Sequence, residues 1–121
     1  MALHFSEQEL AERRKFTCAS MAADSLDGLL IFRQETMFYL TGYDTFGYVF
    51  FQCLYLGADG KMTLLTRSAD LHQAKHTSVI EDVRIWVDHP DAQPAVELGG
   101  ILREHGCEGQ RLGVEYESYG L

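Results

Sequence analysis

The chain has 121 residues, of which 46% are hydrophobic and 23% are charged, and its formal net charge is −8. This length predicts a single domain with its own core, and the composition is that of an ordered protein. The negative charge argues against nucleic acid and anionic membranes as partners, since the basic run 13–15 lies within an otherwise acidic segment.

The cysteines and the amino terminus point to a reducing compartment. Cys18, Cys53 and Cys107 are widely spaced and form no CxxC pair, which favours free thiols over a disulfide framework or a zinc knuckle. Residues 1–9 contain no basic segment followed by an apolar one. No apolar run reaches the roughly 18 residues that a membrane helix needs. We therefore expect a cytoplasmic protein.

The amino-terminal segment has the pattern of a capped helix. Ser6 and Glu9 have the spacing of a capping box, in which the two residues satisfy each other's free amides. We expect a helix from there to about Ala23. Asp27 and Gly28 then turn the chain into a short apolar run at 29–32, which predicts a strand buried on both faces.

The middle of the chain predicts a short helix followed by a hairpin. Residues 35–40 are amphipathic, and Gly42 suits the left-handed cap that ends a helix. Residues 48–56 are rich in aromatic and branched side chains and predict a long strand. A turn at 58–60 leads to the return strand at 61–67, which completes the hairpin.

The last part predicts helices that alternate with single strands. A helix begins at Ser68 or Asp70, and a strand at 82–87, a helix at 94–104 and a strand at 111–116 follow it. Such alternation favours parallel strands with helices on both faces, and the hairpin adds one antiparallel step. The predicted fold is a single three-layer α/β domain with a mixed, mostly parallel sheet.

Two pairs of side chains resemble metal ligands, and each pair also has an ordinary structural interpretation. His72 and His76 are four residues apart on a predicted helix, but Gln73 occupies the position of the glutamate that zinc proteases need. Glu115 and Glu117 share one face of the last strand, where solvated or ion-paired carboxylates are the commoner outcome. We assign no metal ligand and no catalytic residue in this chain.

An aromatic cluster surrounds the glycine-containing loop that follows the short helix. Most of its rings suit the core, whereas a loop that exposed Tyr43, Asp44 and Phe46 would suit the rim of a pocket or an interface. Cys53 lies in a predicted core strand, where a thiol is normally inert. A stand-alone enzyme that uses Cys53 or the two histidines is therefore disfavoured.

Four short runs together resemble a known family. They are Asp-Gly-Leu-Leu-Ile-Phe at 27–32, Tyr-Leu-Thr-Gly-Tyr at 39–43, Leu-Leu-Thr-Arg at 64–67 with Asp70, and Leu-Gly-Val-Glu at 112–115. In order and spacing they resemble the amino-terminal domain of the creatinase, prolidase and aminopeptidase P family. The resemblance covers nearly the whole chain.

The resemblance implies that residues 1–121 are an amino-terminal domain, and that the catalytic domain with the pita-bread fold is absent from this chain. It implies two divalent metal ions (Mn, Co or Zn) in that missing domain and a parent protein that is a metal-dependent hydrolase. The fragment alone is expected to lack activity. The implied partners are its own catalytic domain, a second copy in a homodimer, and a dipeptide or other small-molecule substrate.

By similarity to the family, the loop after the Tyr-Leu-Thr-Gly motif reaches toward the active site of the partner subunit. The candidate residues for substrate-rim or dimer contacts are therefore Tyr43, Asp44, Thr45, Phe46 and Tyr48.

Three functions remain open at this point. The first is a non-catalytic domain of an Xaa-Pro dipeptidase or aminopeptidase, which contributes to dimerisation and to the rim of the partner's substrate site. The second is the same domain in a C–N hydrolase of the ectoine hydrolase or creatinase type, since the run 42–44 followed by 52–53 is similar to ectoine hydrolase relatives. The third is a free-standing small-molecule-binding or interaction domain.

Overall fold

The structure, a computed structural model, describes residues 5–45 and 50–115. The helices are α1 (Glu7–Ala23), α2 (Gln34–Thr41), α3 (Leu71–Thr77) and α4 (Pro94–Glu104), and a 3-10 turn at Ser68–Asp70 precedes α3. The strands are β1 (Gly28–Ile31), β2 (Cys53–Gly57), β3 (Met62–Arg67), β4 (Val83–Trp86) and β5 (Leu112–Val114). None of the helices within these ranges has the length and apolar character needed to cross a bilayer.

The strands form one five-stranded sheet in the order β4-β3-β2-β1-β5. Strands β1 and β5 are parallel, as are β3 and β4, whereas β2 runs antiparallel to both of its neighbours. Four of the five described strands therefore point the same way, and β2 alone is reversed. The predicted mixed, mostly parallel sheet is confirmed, and the reversed strand belongs to the predicted hairpin.

Helices pack on both faces of this sheet, as the alternation of elements predicted. On one face, apolar side chains of α1, α2 and α3 pack against Leu54, Leu56 and Leu64 of the central strands. On the other face, Ile101 of α4 packs in a smaller cluster with Leu65 and Trp86. Neighbouring residues of β3 thus serve opposite layers, because side chains alternate along a strand.

The start of α1 confirms the predicted cap. The N–H of Glu9 donates to Ser6 Oγ at 3.1 Å, and the Ser6 hydroxyl donates to the Glu9 carboxylate at the same distance. Further along, Arg13 donates to the carbonyl of Tyr39 at 3.0 Å and Arg14 to that of Leu40 at 2.8 Å. The two guanidinium groups thereby satisfy carbonyls at the negative end of α2. This part of the basic run serves the fold.

The predicted long strand at 48–56 is wrong at its start. Strand β2 begins at Cys53, residues 50–52 are not in a strand, and the first part of the prediction lies outside the described residues. The carbonyl of Phe51 instead accepts a hydrogen bond from the Trp86 indole at 2.9 Å. This carbonyl thus bonds to a side chain and not to the backbone of a neighbouring strand, and strand pairing does not continue into residues 50–52.

A tight contact at the start of β1 generates the first prediction. A Cβ at Gly28 would lie 2.8 Å from Tyr55 Cε1 and 3.1 Å from Leu112 Cδ2. We expect Gly28→Ala to lower the free energy of unfolding by about 1–3 kcal/mol in urea denaturation, because overpacking strains a core. Gly99→Ala is the matched control, since the nearest atom to its Cβ, on Arg103, is 3.7 Å away. Equal destabilisation of both variants would contradict this prediction.

Candidate functional site

The four codirectional strands end at the same edge of the sheet, which we call the carboxyl edge. In open α/β sheets, ligands bind outside the carboxyl ends of the strands. The chain segments at this edge include the start of α2, the 3-10 turn after β3, and the loop that joins α2 to β2. Residues 42–45 and 50–52 of this loop are described.

Tyr43 anchors the loop from inside the domain. Its hydroxyl donates to Gln52 Oε1 at 3.1 Å and lies 3.0 Å from Thr66 Oγ1. Since a hydroxyl carries a single proton, Thr66 is the donor to Tyr43 in this arrangement. Burial raises the pKa of Tyr43 to about 12. The side chain therefore stays neutral at ordinary pH and serves as a hydrogen-bond donor rather than a base.

Two glutamines hold the backbone of the same residue. Gln52 Nε2 donates to Gln34 Oε1 at 3.1 Å, and Gln34 Nε2 donates to the carbonyl of Tyr43 at 2.7 Å. The N–H of Tyr43 donates to Thr41 Oγ1 at 3.1 Å. Gly42 takes the predicted left-handed conformation, with φ at 81°, and ends α2. The loop therefore leaves α2 in a fixed direction.

The next loop residues are fixed to the turn after β3. Thr45 Oγ1 donates to Asp70 Oδ1 at 2.6 Å, and both residues are 6% exposed. Arg67 Nε donates to the other oxygen of Asp70 at 3.3 Å. The guanidinium carbon of Arg67 lies 3.7 Å from the centroid of the Phe50 ring. One buried carboxylate thus joins the loop to the end of β3.

Only part of the predicted rim can be compared with the structure. Phe46 and Tyr48 lie outside the described residues. The expectation that Tyr43 is exposed is wrong, because its side chain is 0% exposed, and Thr45 is buried as well. The ring lies in the core because buried side-chain partners are available for its hydroxyl, so burying it leaves no polar group unsatisfied.

Within residues 42–45, Asp44 is the residue that reaches the surface. It is partly exposed, and its N–H donates to Thr77 Oγ1 at 2.9 Å. The Thr77 hydroxyl in turn donates to the carbonyl of Gln73 at 2.7 Å. The backbone of Asp44 is therefore held on α3, between two buried residues of the loop.

Glu115 has a structural role that the sequence pattern did not predict. Its carboxylate accepts hydrogen bonds from the N–H groups of Phe32 and Arg33 at 3.0 and 2.9 Å, and from Thr36 Oγ1 at 2.6 Å. These donors lie at the start of α2, so Glu115 caps that helix from the end of β5. Its predicted companion Glu117 lies outside the described residues.

The remaining candidates offer no reactive centre. His72 and His76 are exposed, with ring centroids 5.5 Å apart. Burial raises the pKa of the Cys53 thiol to about 12, so it is a poor nucleophile. Across residues 5–45 and 50–115, no three His, Cys, Asp or Glu side chains are grouped so that they could hold a metal ion.

The residues that the sequence analysis missed are polar side chains next to apolar elements. Gln34 is the first residue of α2, Gln52 directly precedes β2, and Thr66 lies within the apolar strand β3. An amide or hydroxyl at such a position signals a buried hydrogen-bond partner. The signal does not identify the partner, which here comes from 9 to 23 residues away.

Comparisons with known proteins agree on one family. The profile of the Creatinase/Prolidase N-terminal domain matches residues 13–121. The ectoine hydrolase of Halomonas elongata is 29% identical over 98% of this chain and 32% of its own length. The solved prolidase from Thermococcus sibiricus superposes with a TM-score of 0.77 at 19% identity, covering 91% of this chain and 29% of that one.

A solved dipeptidase, PepE of Mycobacterium ulcerans, is 30% identical with a TM-score of 0.61, over 78% of this chain and 27% of its own. Among curated relatives, the chain spans about a third of the length of each protein that it matches.

The buried hydroxyl of Tyr43 gives the second prediction. We expect Tyr43→Phe to lower the free energy of unfolding by about 1–3 kcal/mol, since Gln52 and Thr66 lose a buried partner. The matched control is Tyr39→Phe, because Tyr39 is 51% exposed and surface changes usually stay within about 0.5 kcal/mol. Urea denaturation of both variants measures the difference. A Tyr43→Phe variant as stable as the control would show that the network contributes nothing.

Proposed function

The chain belongs to the creatinase/prolidase amino-terminal domain family, and from this we propose that it is the non-catalytic domain of a larger hydrolase of the Xaa-Pro dipeptidase or aminopeptidase class. The observation that carries the proposal is the match of residues 13–121 to that family, in a chain that spans about a third of its curated relatives. The second candidate is a C–N hydrolase of the ectoine hydrolase type, favoured by the 29% identity to the Halomonas elongata protein.

In this proposal, bond cleavage belongs to a second domain outside these 121 residues. The described residues do not fit a metal centre, because no suitable group of ligands comes together among them. The buried Tyr43 and Cys53 both have raised pKa values and are unsuited to acid–base or nucleophilic work at neutral pH. We propose that two divalent ions (Mn, Co or Zn) are held by the other domain.

We further propose that the carboxyl edge contributes to the substrate-site rim of a partner subunit in a homodimer. The support is that residues 42–45 are held by hydrogen bonds: the backbone of 42–44 bonds to α2 and α3, and the Thr45 hydroxyl donates to Asp70 in the turn after β3. A segment that is already held in place, as residues 42–45 are, loses little entropy when it contacts a ligand. In this proposal, Tyr43 and Thr45 anchor the loop to the domain through buried hydrogen bonds. Asp44, Phe46 and Tyr48 are the residues that contact the substrate or the partner subunit.

The role of metals gives the third prediction. We expect the protein that includes the second domain to lose peptidase or amidase activity after chelation, and to regain it with Mn, Co or Zn. The 121-residue chain alone should show no activity with the same substrates. Hydrolysis by the chelated protein or by the isolated chain would contradict the proposal that a metal-containing second domain cleaves the bond.

The fourth prediction concerns the rim itself. In the protein with its second domain, we expect Asp44→Ala to lower kcat/KM by roughly fivefold to tenfold, the loss of one polar contact. The variant should remain folded by circular dichroism, because alanine keeps the backbone N–H that donates to Thr77. Asp24→Ala is the control, since Asp24 is an exposed residue at the end of α1, just before β1. Equal kinetics for the two variants would remove the loop from the substrate site.

A further inference from the structure

The two histidines of α3 lie side by side on the surface of the helix. His72 and His76 are both exposed, and their imidazole rings are 5.5 Å apart between centroids, with an angle of 11° between the ring planes. Within the part of the chain that the structure describes, neither ring makes a hydrogen bond or an ion pair, and each contacts the ring of the other. The ring nitrogens of both residues are therefore not committed to a partner in these ranges.

The other two histidines in the described ranges each have a bond within the fold. His89 Nδ1 accepts from the N–H of Asp91 at 3.1 Å. His105 Nε2 lies 2.7 Å from Thr63 Oγ1. The pair on α3 differs from these two histidines because its nitrogens are free and because each of its imidazoles has a second imidazole within reach.

The backbone that carries the pair is fixed on the opposite side of α3. Ala74, two residues from each histidine, belongs to the main core cluster. The Thr77 hydroxyl donates to the carbonyl of Gln73 at 2.7 Å, and the Ser78 hydroxyl donates to the carbonyl of Ala74. Residues four positions apart on a helix share one face. Because this helix is already formed and packed, binding a ligand between the two histidines requires no further ordering of the backbone.

We propose that His72 and His76 form a two-histidine chelate site for a divalent ion such as Zn²⁺, in which each ring supplies one nitrogen and water fills the other positions. Zinc–nitrogen bonds of about 2.0–2.1 Å, with about 1 Å from each nitrogen to its ring centre, span centroid separations of up to about 6 Å. The observed 5.5 Å lies within this reach. Since both side chains are exposed and unbonded, each ring can rotate to direct a nitrogen at the same ion.

The donor atoms determine which ions suit this site. Imidazole nitrogen suits Zn²⁺, Cu²⁺ and Ni²⁺, whereas Mg²⁺ and Ca²⁺ prefer oxygen ligands. The net charge of −8 favours the approach of any cation, so selectivity comes from the nitrogen ligands.

Two protein ligands are fewer than the three or four of a catalytic or structural zinc centre. No third His, Cys, Asp or Glu joins them among residues 5–45 and 50–115. The ion is therefore exchangeable, and the chelate does not depend on the metal centre proposed for the second domain.

An ion in this site would stabilise the helix that holds the backbone of Asp44. It would join two residues one turn apart in a helix of seven residues. Thr77 accepts from the N–H of Asp44 and directly follows His76. Gln73 accepts from Thr77 and directly follows His72. A ligand that binds only the folded form of a segment makes opening of that segment rarer, so we expect the bond between Asp44 and Thr77 to open less often.

The test titrates Zn²⁺ into the 121-residue chain and follows the imidazole ¹⁵N signals of each histidine by NMR. We expect one ring nitrogen of His72 and one of His76 to shift with the same midpoint, and His89 to show no shift at that midpoint. Mg²⁺ at the same concentrations should shift none of these signals. Different midpoints for the two histidines, an equal response from His89, or no response would overturn the proposal.

Variants distinguish a chelate from two separate histidines. We expect His72→Ala and His76→Ala each to weaken Zn²⁺ binding at the remaining histidine by at least about tenfold, because the second ligand of a chelate acts at a high effective concentration. His89→Ala is the matched control, since His89 is also exposed and has no second imidazole beside it in the described structure. Unchanged affinity at the remaining histidine in either single variant would show two independent sites and contradict the chelate. Circular dichroism confirms that each variant is folded.

Hydrogen exchange measures the consequence for the loop. We expect saturating Zn²⁺ to slow exchange of the Asp44 amide severalfold in the unmodified chain and to have no effect on it in His76→Ala. Equal exchange with and without Zn²⁺ in the unmodified chain would contradict the coupling between the chelate and the loop.

Discussion

The buried hydroxyl of Tyr43 is the constraint on which the carboxyl edge depends. A hydroxyl in the core costs free energy unless it is hydrogen-bonded, so Gln52 and Thr66 must stay within reach of it. Gln52 in turn binds Gln34, whose amide holds the carbonyl of Tyr43. Three elements, α2, β2 and β3, are thereby held in one arrangement, and the direction of the loop between α2 and β2 follows from it.

Strand direction explains why these groups meet at one edge. Because β2 alone is reversed, the loop that enters it lies beside the carboxyl ends of β1 and β3. Asp70, in the turn after β3, can then accept from both Thr45 and Arg67. The edge thus has a rigid base of buried polar bonds. Asp44, which is partly exposed, lies between two residues of this base.

Much of the fold could be predicted from the sequence because its signals are local. The Ser6 cap, the left-handed Gly42 and the helix over 94–104 each depend on residues a few positions apart. The site was predicted less well. An aromatic residue beside a glycine suits an exposed rim as well as a core, and only the distant Gln52 and Thr66 make burial of Tyr43 favourable.

By itself, the sequence determined the class of the fold, the order of its elements and the family resemblance, since periodicity, caps and turns act over short stretches of chain. Tertiary structure decided which polar groups are partners. Glu115 accepts a hydrogen bond at the start of α2 from the N–H of Phe32, which is 83 residues away in the sequence. Thr45 donates to Asp70, which is 25 residues away. Such pairs form because burial forces each polar group to find a donor or acceptor, wherever the folded chain supplies one.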